Sequence, residues 1–402
     1  MRTRFAIGLL AVITVLSLAV ARRHALLRFA IQAGAGLVGG YAVRIGELHV
    51  GWDAAGFSHV RVEHGAQPLL DANRIALRYS LRDLLPGSTH RFGLLRIDID
   101  GALLTIVRFR DGSFNFNLPR AAVRPAPQRA NPVPLRFALR VRDLQVELRE
   151  PSAYDASAKH LRVGNVAIEA SVDTAAVTQY RARGAFEESR REPFTVGGRI
   201  DAVAGYAMHH AQAPRFPVRA LANYLADTPA VRILAGEGRN FDGRLYALGV
   251  IPNATPSYHV SLRLDVNGAR LGLNALAAPI ENLSARLEVI DNAFFVRGAH
   301  ATLAGIRLRI DGGAYDFTGA LTGGAKLRLG VSGTGDLSAL RQAFTFARGQ
   351  PISGAARLGV LVHGAIDDPV IVARVVSPKA RYRELPFDSL NAGVVYHSNV
   401  VA

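Results

Sequence analysis

The sequence predicts a mainly β protein: an N-terminal transmembrane helix, then an elongated, curled, antiparallel-rich β-sheet (a taco-shaped β-groove) with a few short helices. Three observations predict it. Apolar and polar residues alternate over many short runs, such as "RIALRYSL" and "HVSLRLDVNG", the period of a strand with one apolar and one solvated face. The 39 Gly and 19 Pro are spread along the 402 residues, a spacing that suits turns and that long helices would not tolerate. One unbroken apolar run, "FAIGLLAVITVLSLAVA" from Phe5 to Ala21, stands between "MRTR" and "RRH".

These 17 residues are just enough to cross a bilayer core as a helix. Residues 1–21 therefore read as an uncleaved signal anchor with an exported body. A cleaved signal peptide is the alternative, because Ala19-Val20-Ala21 resembles an A-x-A site. Arg22 and Arg23 directly after it disfavour cleavage. Leu26, Leu27, Ala30, Ile31 and Ala35 then recur at helical spacing, so residues 22–40 read as an amphipathic juxtamembrane helix and a Gly-rich break. There "GAGLVGG" matches G-x-G-x-x-G at Gly34, Gly36 and Gly39. The dinucleotide fingerprint needs a strand before the glycines and a helix after them. Here the order is reversed, with Val43, Ile45 and Leu48 strand-like, so the glycines read as a flexible break.

Beyond residue 40 the period is two. Ile75, Leu77, Tyr79 and Leu81 oppose Arg74, Arg78 and Arg82; Leu95, Ile97 and Ile99 oppose Arg96, Asp98 and Asp100. "VRFRDGSFNFNLP" (107–119) reads as a hairpin around Asp111-Gly112, with Asn115 and Asn117 pointing outward from Phe114 and Phe116. Later runs carry Phe137, Leu139 and Val141; Leu144, Val146 and Leu148; Val260, Leu262, Leu264 and Val266; Leu283, Ala285, Leu287 and Val289; Ile306, Leu308 and Ile310; Leu327, Leu329 and Val331. Most runs end in Asp, Asn or Gly, which suits tight turns. Two helices interrupt them: "FPVRALANYLAD" from Pro217, and "GDLSALRQAFTFARG" with Asp336 as N-cap and Gly349 as stop. The five prolines of "LPRAAVRPAPQRANPVP" mark an extended linker over 120–134. It would separate a β subdomain at 41–119 from an extended, repeated β-groove body at 135–402.

Candidate chemistry is sparse. There is no Cys, which excludes disulfides, thiolate metal sites and a Cys nucleophile. His209 and His210 are adjacent and point apart, so they read as a polar loop and not as metal ligands. Asp98 and Asp100 share a strand face and could form a carboxylate pair, but Arg96 beside them suggests a solvated ladder. No nucleophile elbow or P-loop is present, and Trp52, the single Trp, reads as core. Subtracting Lys159, Lys326 and Lys379 from the 48 cations leaves 45 Arg, at net charge +16. They are dispersed among apolar residues, without the aromatic cluster of a single-strand nucleic-acid surface. What remains is the apolar face, which two helices are too few to cover. Its lining residues would be Leu139, Val141, Val146, Leu148, Leu262, Leu264, Leu287, Leu308, Leu327 and Leu329.

The order of features resembles the AsmA-like superfamily, most closely the TamB (translocation and assembly module subunit) type. A membrane anchor leads to "VGWDAAGFSHVRVEHGAQPLLDANRIALRYSLRDLLPG" and "LLRIDIDGALLTIVRFRDGSFNFNLP". The matching positions are Tyr79, Ser80, Leu81, Leu84 and Leu85, then Ile97, Ile99, Leu104, Arg108, Asp111, Gly112 and Asn115. "PIENLSARLEVIDNAFFVRGAHATLAGIRLRIDGGAYDF" and "VHGAIDDPVIVARVVSPKARYRELPFDSLNAGVVY" look like that family's repeated sheet units. The resemblance implies a single-pass inner-membrane protein reaching into the periplasm. It implies a hydrophobic β-groove linked to phospholipid movement and outer-membrane protein assembly, and no catalytic residues. Family members are longer and meet an outer-membrane barrel partner, so the chain reads as incomplete at its C-terminus.

The expected function is therefore a scaffold, not an enzyme, whose partners are phospholipid acyl chains and an outer-membrane barrel protein, with no cofactor, metal or nucleic acid. The alternative is a structural envelope protein that self-associates through its apolar face. A third reading is an anchored hydrolase using Asp98, Asp100 or the histidines.

Overall fold

A computed structural model of the chain describes residues 41–65, 67–84, 93–109, 113–116, 135–151, 158–218, 231–249, 257–273, 276–316, 325–344, 348–365, 368–397 and 400–401. The expected anchor, the segment 22–40 with its glycines, Asp111, Gly112, Asn117 and the linker 120–134 lie outside them. Among the described residues no helix is long and apolar enough to cross a membrane.

The described chain is mainly β. Its strands are β1 (Tyr41–Val50), β2 (Ala54–His64), β3 (Gln67–Tyr79), β4 (Leu94–Val107), β5 (Arg136–Pro151), β6 (Ala158–Asp173), β7 (Val177–Phe186), β8 (Phe194–Asp201), β9 (Tyr206–Phe216), β10 (Val231–Leu248) and β11 (Ser257–Leu273). They continue as β12 (Ile280–Ile290), β13 (Ala293–Leu303), β14 (Ile306–Tyr315), β15 (Lys326–Asp336), β16 (Ile352–Ser353), β17 (Ala355–Ala365), β18 (Pro369–Ser377), β19 (Ala380–Tyr382), β20 (Leu385–Phe387), β21 (Leu390–His397) and β22 (Val400–Val401). The chain forms two compact units. Unit 1 comprises residues 1–151, 162–184 and 201–203; unit 2 comprises 152–161, 185–200 and 204–402.

In unit 1, β1 to β4 pair antiparallel in chain order, and β5 joins β4 in parallel. A parallel pair needs a crossover of a dozen or more residues, and the stretch between Val107 and Arg136 supplies it. The two flanks of the Pro-rich segment are thus paired neighbours in one unit, and the compact units divide further along the chain. In unit 2, β9 to β15 pair antiparallel in order, followed by β17, β18, β21 and β22. Among the described residues no pairing joins β9 to β21 or β22, so strand pairing lends the expected curl no support.

Strands this long keep one face apolar because their alternation is reset midway. Gly46 lies opposite His59, His59 opposite Asn73, Asn73 opposite Gly101, and Gly101 opposite Asp143, a row that the pairing of β1 to β5 skips. His59 (φ 51°), Gly101 (φ 62°) and Asp143 (φ 51°) are left-handed. An inserted residue in that region bends a strand and shifts its alternation by one. Buried residues accordingly sit three apart across the row: Ile45 and Leu48 at 5% and 7% exposure, Val141 and Leu144 at 5% and 7%. In unit 2, Asn240, Gly268, Asn282 and Gly298 are left-handed at the register shifts of β10 to β13. "LLRIDIDG" and "HVSLRLDVNG" therefore do not end at Gly101 and Gly268, as their turn-like residues suggested; β4 runs on to Val107 and β11 to Leu273.

Other expectations are corrected in detail. Leu81 leaves the strand face and is exposed in a 3-10 turn, Leu81–Leu84. Trp52 is 84% exposed between β1 and β2 rather than packed in a core. Only Pro217 and Val218 of the first helix lie within the described residues. The second begins as expected, with the Asp336 Oδ1 accepting the Ser338 N–H at 2.8 Å. It amounts to a 3-10 turn, Leu337–Ala339, and one α turn, Leu340–Ala343, and Phe344 is already extended.

The resetting row yields a prediction. A Cβ on Gly101 would meet the Asn73 Nδ2 at 2.5 Å, on a backbone that side chains rarely adopt, whereas a Cβ on Gly56 meets nothing within 4 Å. Gly101→Ala should lower stability by about 1–3 kcal/mol. Gly56→Ala should change it by less than about 0.5 kcal/mol. Urea unfolding of the two variants measures the contrast.

Candidate functional site

The apolar sheet faces are the candidate site. In unit 1, cross-strand partners place apolar residues in transverse rows. One row is Leu48, Phe57, Ile75, Ile99 and Val141; another, beyond the resetting row, is Val43, Val62, Leu70, Leu104 and Val146. Leu139 stands beside Ile97 and Leu148 beside Ile106. Opposite partners lie within side-chain contact of each other on one face of a sheet. All four expected lining residues of unit 1 therefore belong to one face.

Unit 2 carries a longer row. Leu264, Leu287, Val296, Gly312, Leu329, Val362, Ile371 and Tyr396 are successive partners from β11 to β21. The next row contains Leu262, Val289, Phe294, Ala314 and Leu327. Leu308 lies between Ala301 and Gly333, where a Cβ on Gly333 would meet its Cδ2 at 2.9 Å. The structure thus gathers all six expected residues of this unit onto one face. Leu264 and Leu308 are buried; Leu262, Leu287, Leu327 and Leu329 are only half-buried.

Cover is local. Ala343, on the short helical turn, packs with Ala301, Leu303, Ile306 and Leu308, joined by Leu340 and Phe344. Val218 packs with Leu264, Val266 and Ala269. Val296, Val362, Ile371 and Tyr396 complete the long row, yet alternation alone did not single them out. In "GVLVHG" and "PVIVARVV" both faces are apolar, which hides the period.

The polar candidates resolve into paired groups. Arg96 Nη2 lies 2.6 Å from Asp98 Oδ1, and Arg142 Nε lies 2.6 Å from Asp100 Oδ1. Asp98 and Asp100 are thus held by different guanidiniums, as in a solvated ladder. His209 and His210 sit in β9, not in a loop. The His210 Nε2 is 3.2 Å from Asp242 Oδ2, which also accepts from Gln212 Nε2 at 3.1 Å. These two bonds, with Arg244 nearby, hold the Asp242 carboxyl below its usual range. Both histidines line a cavity of about 710 Å³ with Tyr246 and His259.

The hairpin holds a surprise. Its first rungs form as expected, with an Arg108–Phe114 bridge and the Phe109 N–H donating to Ser113 O at 2.7 Å. Asn115 then turns inward instead of outward and is 1% exposed. Its Oδ1 accepts the Val107 N–H at 2.8 Å, and its Nδ2 donates to Thr105 O at 2.8 Å and to Pro68 O at 3.0 Å. The Asn115 amide thus closes the seam between Pro68, Thr105 and Val107. Close by, the buried Glu147 carboxylate lies 2.7 Å from Arg149 Nη2 and 3.2 Å from Arg162 Nη2. The Arg149 hydrogen bond, outweighing burial and assisted by Arg162, holds this carboxyl below its ordinary range.

Comparison with known proteins leaves the reading to this geometry: no protein-family model matches the chain, and no curated protein matches it.

Two measurements test the seam. Asn115→Leu should cost about 2–4 kcal/mol by stranding buried backbone groups, read as lost amide protection at Val107 in hydrogen exchange. A carboxyl whose folded pKa is depressed stabilises the fold above its unfolded pKa, about 4.3 for Glu. That contribution is lost as pH falls through the lower folded value. Glu147→Gln should therefore reduce stability at pH 7 and flatten the acid limb of a plot of urea midpoint against pH.

Proposed function

We propose that the chain is an inner-membrane-anchored periplasmic scaffold that binds phospholipid acyl chains on its apolar sheet faces. By the resemblance to the AsmA-like and TamB type, it would conduct phospholipid between membranes, assist outer-membrane protein assembly, or both. The carrying observation is the eight-strand row from Leu264 to Tyr396. Its members at 287, 329, 362 and 371 are only half-buried. A face left half-open in this way is stabilised by an apolar partner. Curling of the sheet around bound chains belongs to this proposal, as does insertion of Phe5–Ala21 in the membrane and contact with an outer-membrane barrel. No catalytic step is assigned.

Self-association is the second reading, and one observation favours it. Leu361, Val372 and Val395 are cross-strand partners on β17, β18 and β21 and are 42%, 36% and 41% exposed. This row lies on the face opposite Val362 and Ile371 and gives a second copy an apolar stripe.

Both readings are tested on the full chain extracted in neutral detergent. Mass spectrometry should find phospholipid bound to it, and Leu329→Asp with Val362→Asp should reduce that lipid at least ~tenfold, because a charge in an apolar site costs several kcal/mol. Unchanged circular dichroism would show that the variant still folds. A folded wild-type chain free of lipid and dimeric by light scattering would replace the first reading with the second.

A further inference from the structure

We propose that the solvated face of unit 2 carries an anion pocket whose ligand is a phosphate group. Two successive rungs of the sheet build it. One runs His300, Arg309, Ser332, Gly359 and Arg374; the other runs Arg307, Thr334, Arg357 and Val376. Directly opposed residues on adjacent strands project from one face. The two rungs line a cavity of about 510 Å³. Gly359 forms an open floor, since a Cβ there would meet nothing within 4 Å. The four arginines, Ser332 and Thr334 are all exposed.

An Arg-rich solvated strand face is ordinary in this chain, and at several places in the unit a carboxylate meets the arginine. Arg286 lies 3.0 Å from Asp265, Arg297 3.1 Å from Glu288, and Arg215 and Arg239 lie 2.8 Å and 2.9 Å from Glu237. The pocket gathers four arginines with few such partners. Arg307 and Arg357 have no ion-pair partner among the described residues, and Arg374 Nε donates to the neutral Asn391 Oδ1 at 3.0 Å. Arg309 alone meets a carboxylate, Asp311, at 3.1 Å, and that carboxylate is shared with the Gly298 N–H at 2.7 Å. Asp336, further along β15, spends its two oxygens on the Ser338 and Gly354 N–H groups. Cations gathered on one face repel one another until an anion enters. Guanidinium forks match phosphate oxygens in pairs, and the Ser332 and Thr334 hydroxyls add donors. The phosphate could belong to a lipid headgroup or to a soluble phosphoanion; both present the same oxygens. The pocket lies on the face opposite the acyl-binding row, so its failure would leave that proposal standing.

The test uses the full chain in neutral detergent with two probes, inorganic pyrophosphate and short-chain phosphatidylglycerol, by titration calorimetry. The double variant R307Q/R357Q should weaken at least one probe by ~tenfold. The control R286Q/R297Q, which removes the same charge from balanced sites, should leave both unchanged. A response of pyrophosphate alone supports the pocket with a soluble ligand, and a response of the lipid supports it with a headgroup. Wild type binding neither probe, R307Q/R357Q binding both as wild type does, or the control losing as much would each overturn the pocket. Matching thermal melts establish that the exposed substitutions leave the fold intact.

Discussion

The left-handed residues in mid-strand are the constraint on which the rest depends. Strict alternation, continued over the 14 residues of β4 or the 17 of β11, must follow the bending and twisting of a large sheet. A single left-handed residue bends the strand and repeats one side. In unit 1 the device is synchronised, Gly46, His59, Asn73, Gly101 and Asp143 falling opposite one another. The apolar rows on its two sides therefore remain one surface. Without it, Leu144, Val146 and Leu148 would face solvent while Val141 stayed buried. In unit 2 the same residue types produce staggered one-residue shifts between neighbours. Asp and Asn tolerate the conformation at modest cost, and Gly at almost none.

This also explains what the sequence could and could not show. Period-two runs located the strands because each half-strand alternates cleanly. The phase break between halves carries Gly, Asn or Asp, the residues that also make turns, so a kink within one strand looked like the end of it. Val141 and Leu144, three apart and both buried, carried the distinguishing sign: the apolar phase flips while the strand goes on. Asn115 was harder to see. Its polarity suggested solvent, and its buried task is to bond the Pro68 carbonyl, 47 residues away, together with Thr105 O and the Val107 N–H. The Pro-rich segment read as a linker between subdomains, because its prolines do not tell a boundary from the crossover that the parallel β4–β5 pair needs. Trp52 shows the limit of composition, because a large ring in a two-residue bend has no strand to carry it inward.

The Asn of the family-like motif acquires a physical role from the same seam. Asn115 satisfies three backbone groups where β3 gives out and β4 continues. A hydrophobic residue of similar size would fill the space and strand all three groups, which is why an amide suits the position. The buried Asn115 thus answers a structural requirement of the sheet.

The solvated faces follow a second local rule. Acid and base are spaced two apart on one strand, as in Arg96–Asp98, Glu237–Arg239, Asp242–Arg244 and Arg309–Asp311. Residues two apart project from the same face, so each such pair closes without help from a neighbouring strand. Exposed pairs of this kind contribute little stability, about 0–1 kcal/mol each. Their consequence is to silence charge where it would otherwise repel. With 48 cations against 32 acids, the rule must run out somewhere. Arg307 and Arg357 stand two strands apart with Thr334 between them, and neither has an acid two places along: the flanking positions hold Gly305 and Arg309, and Ala355 and Gly359. Four arginines are therefore gathered over a glycine floor, and such a local field acts on an anion at contact distance where a diffuse one would be screened by salt.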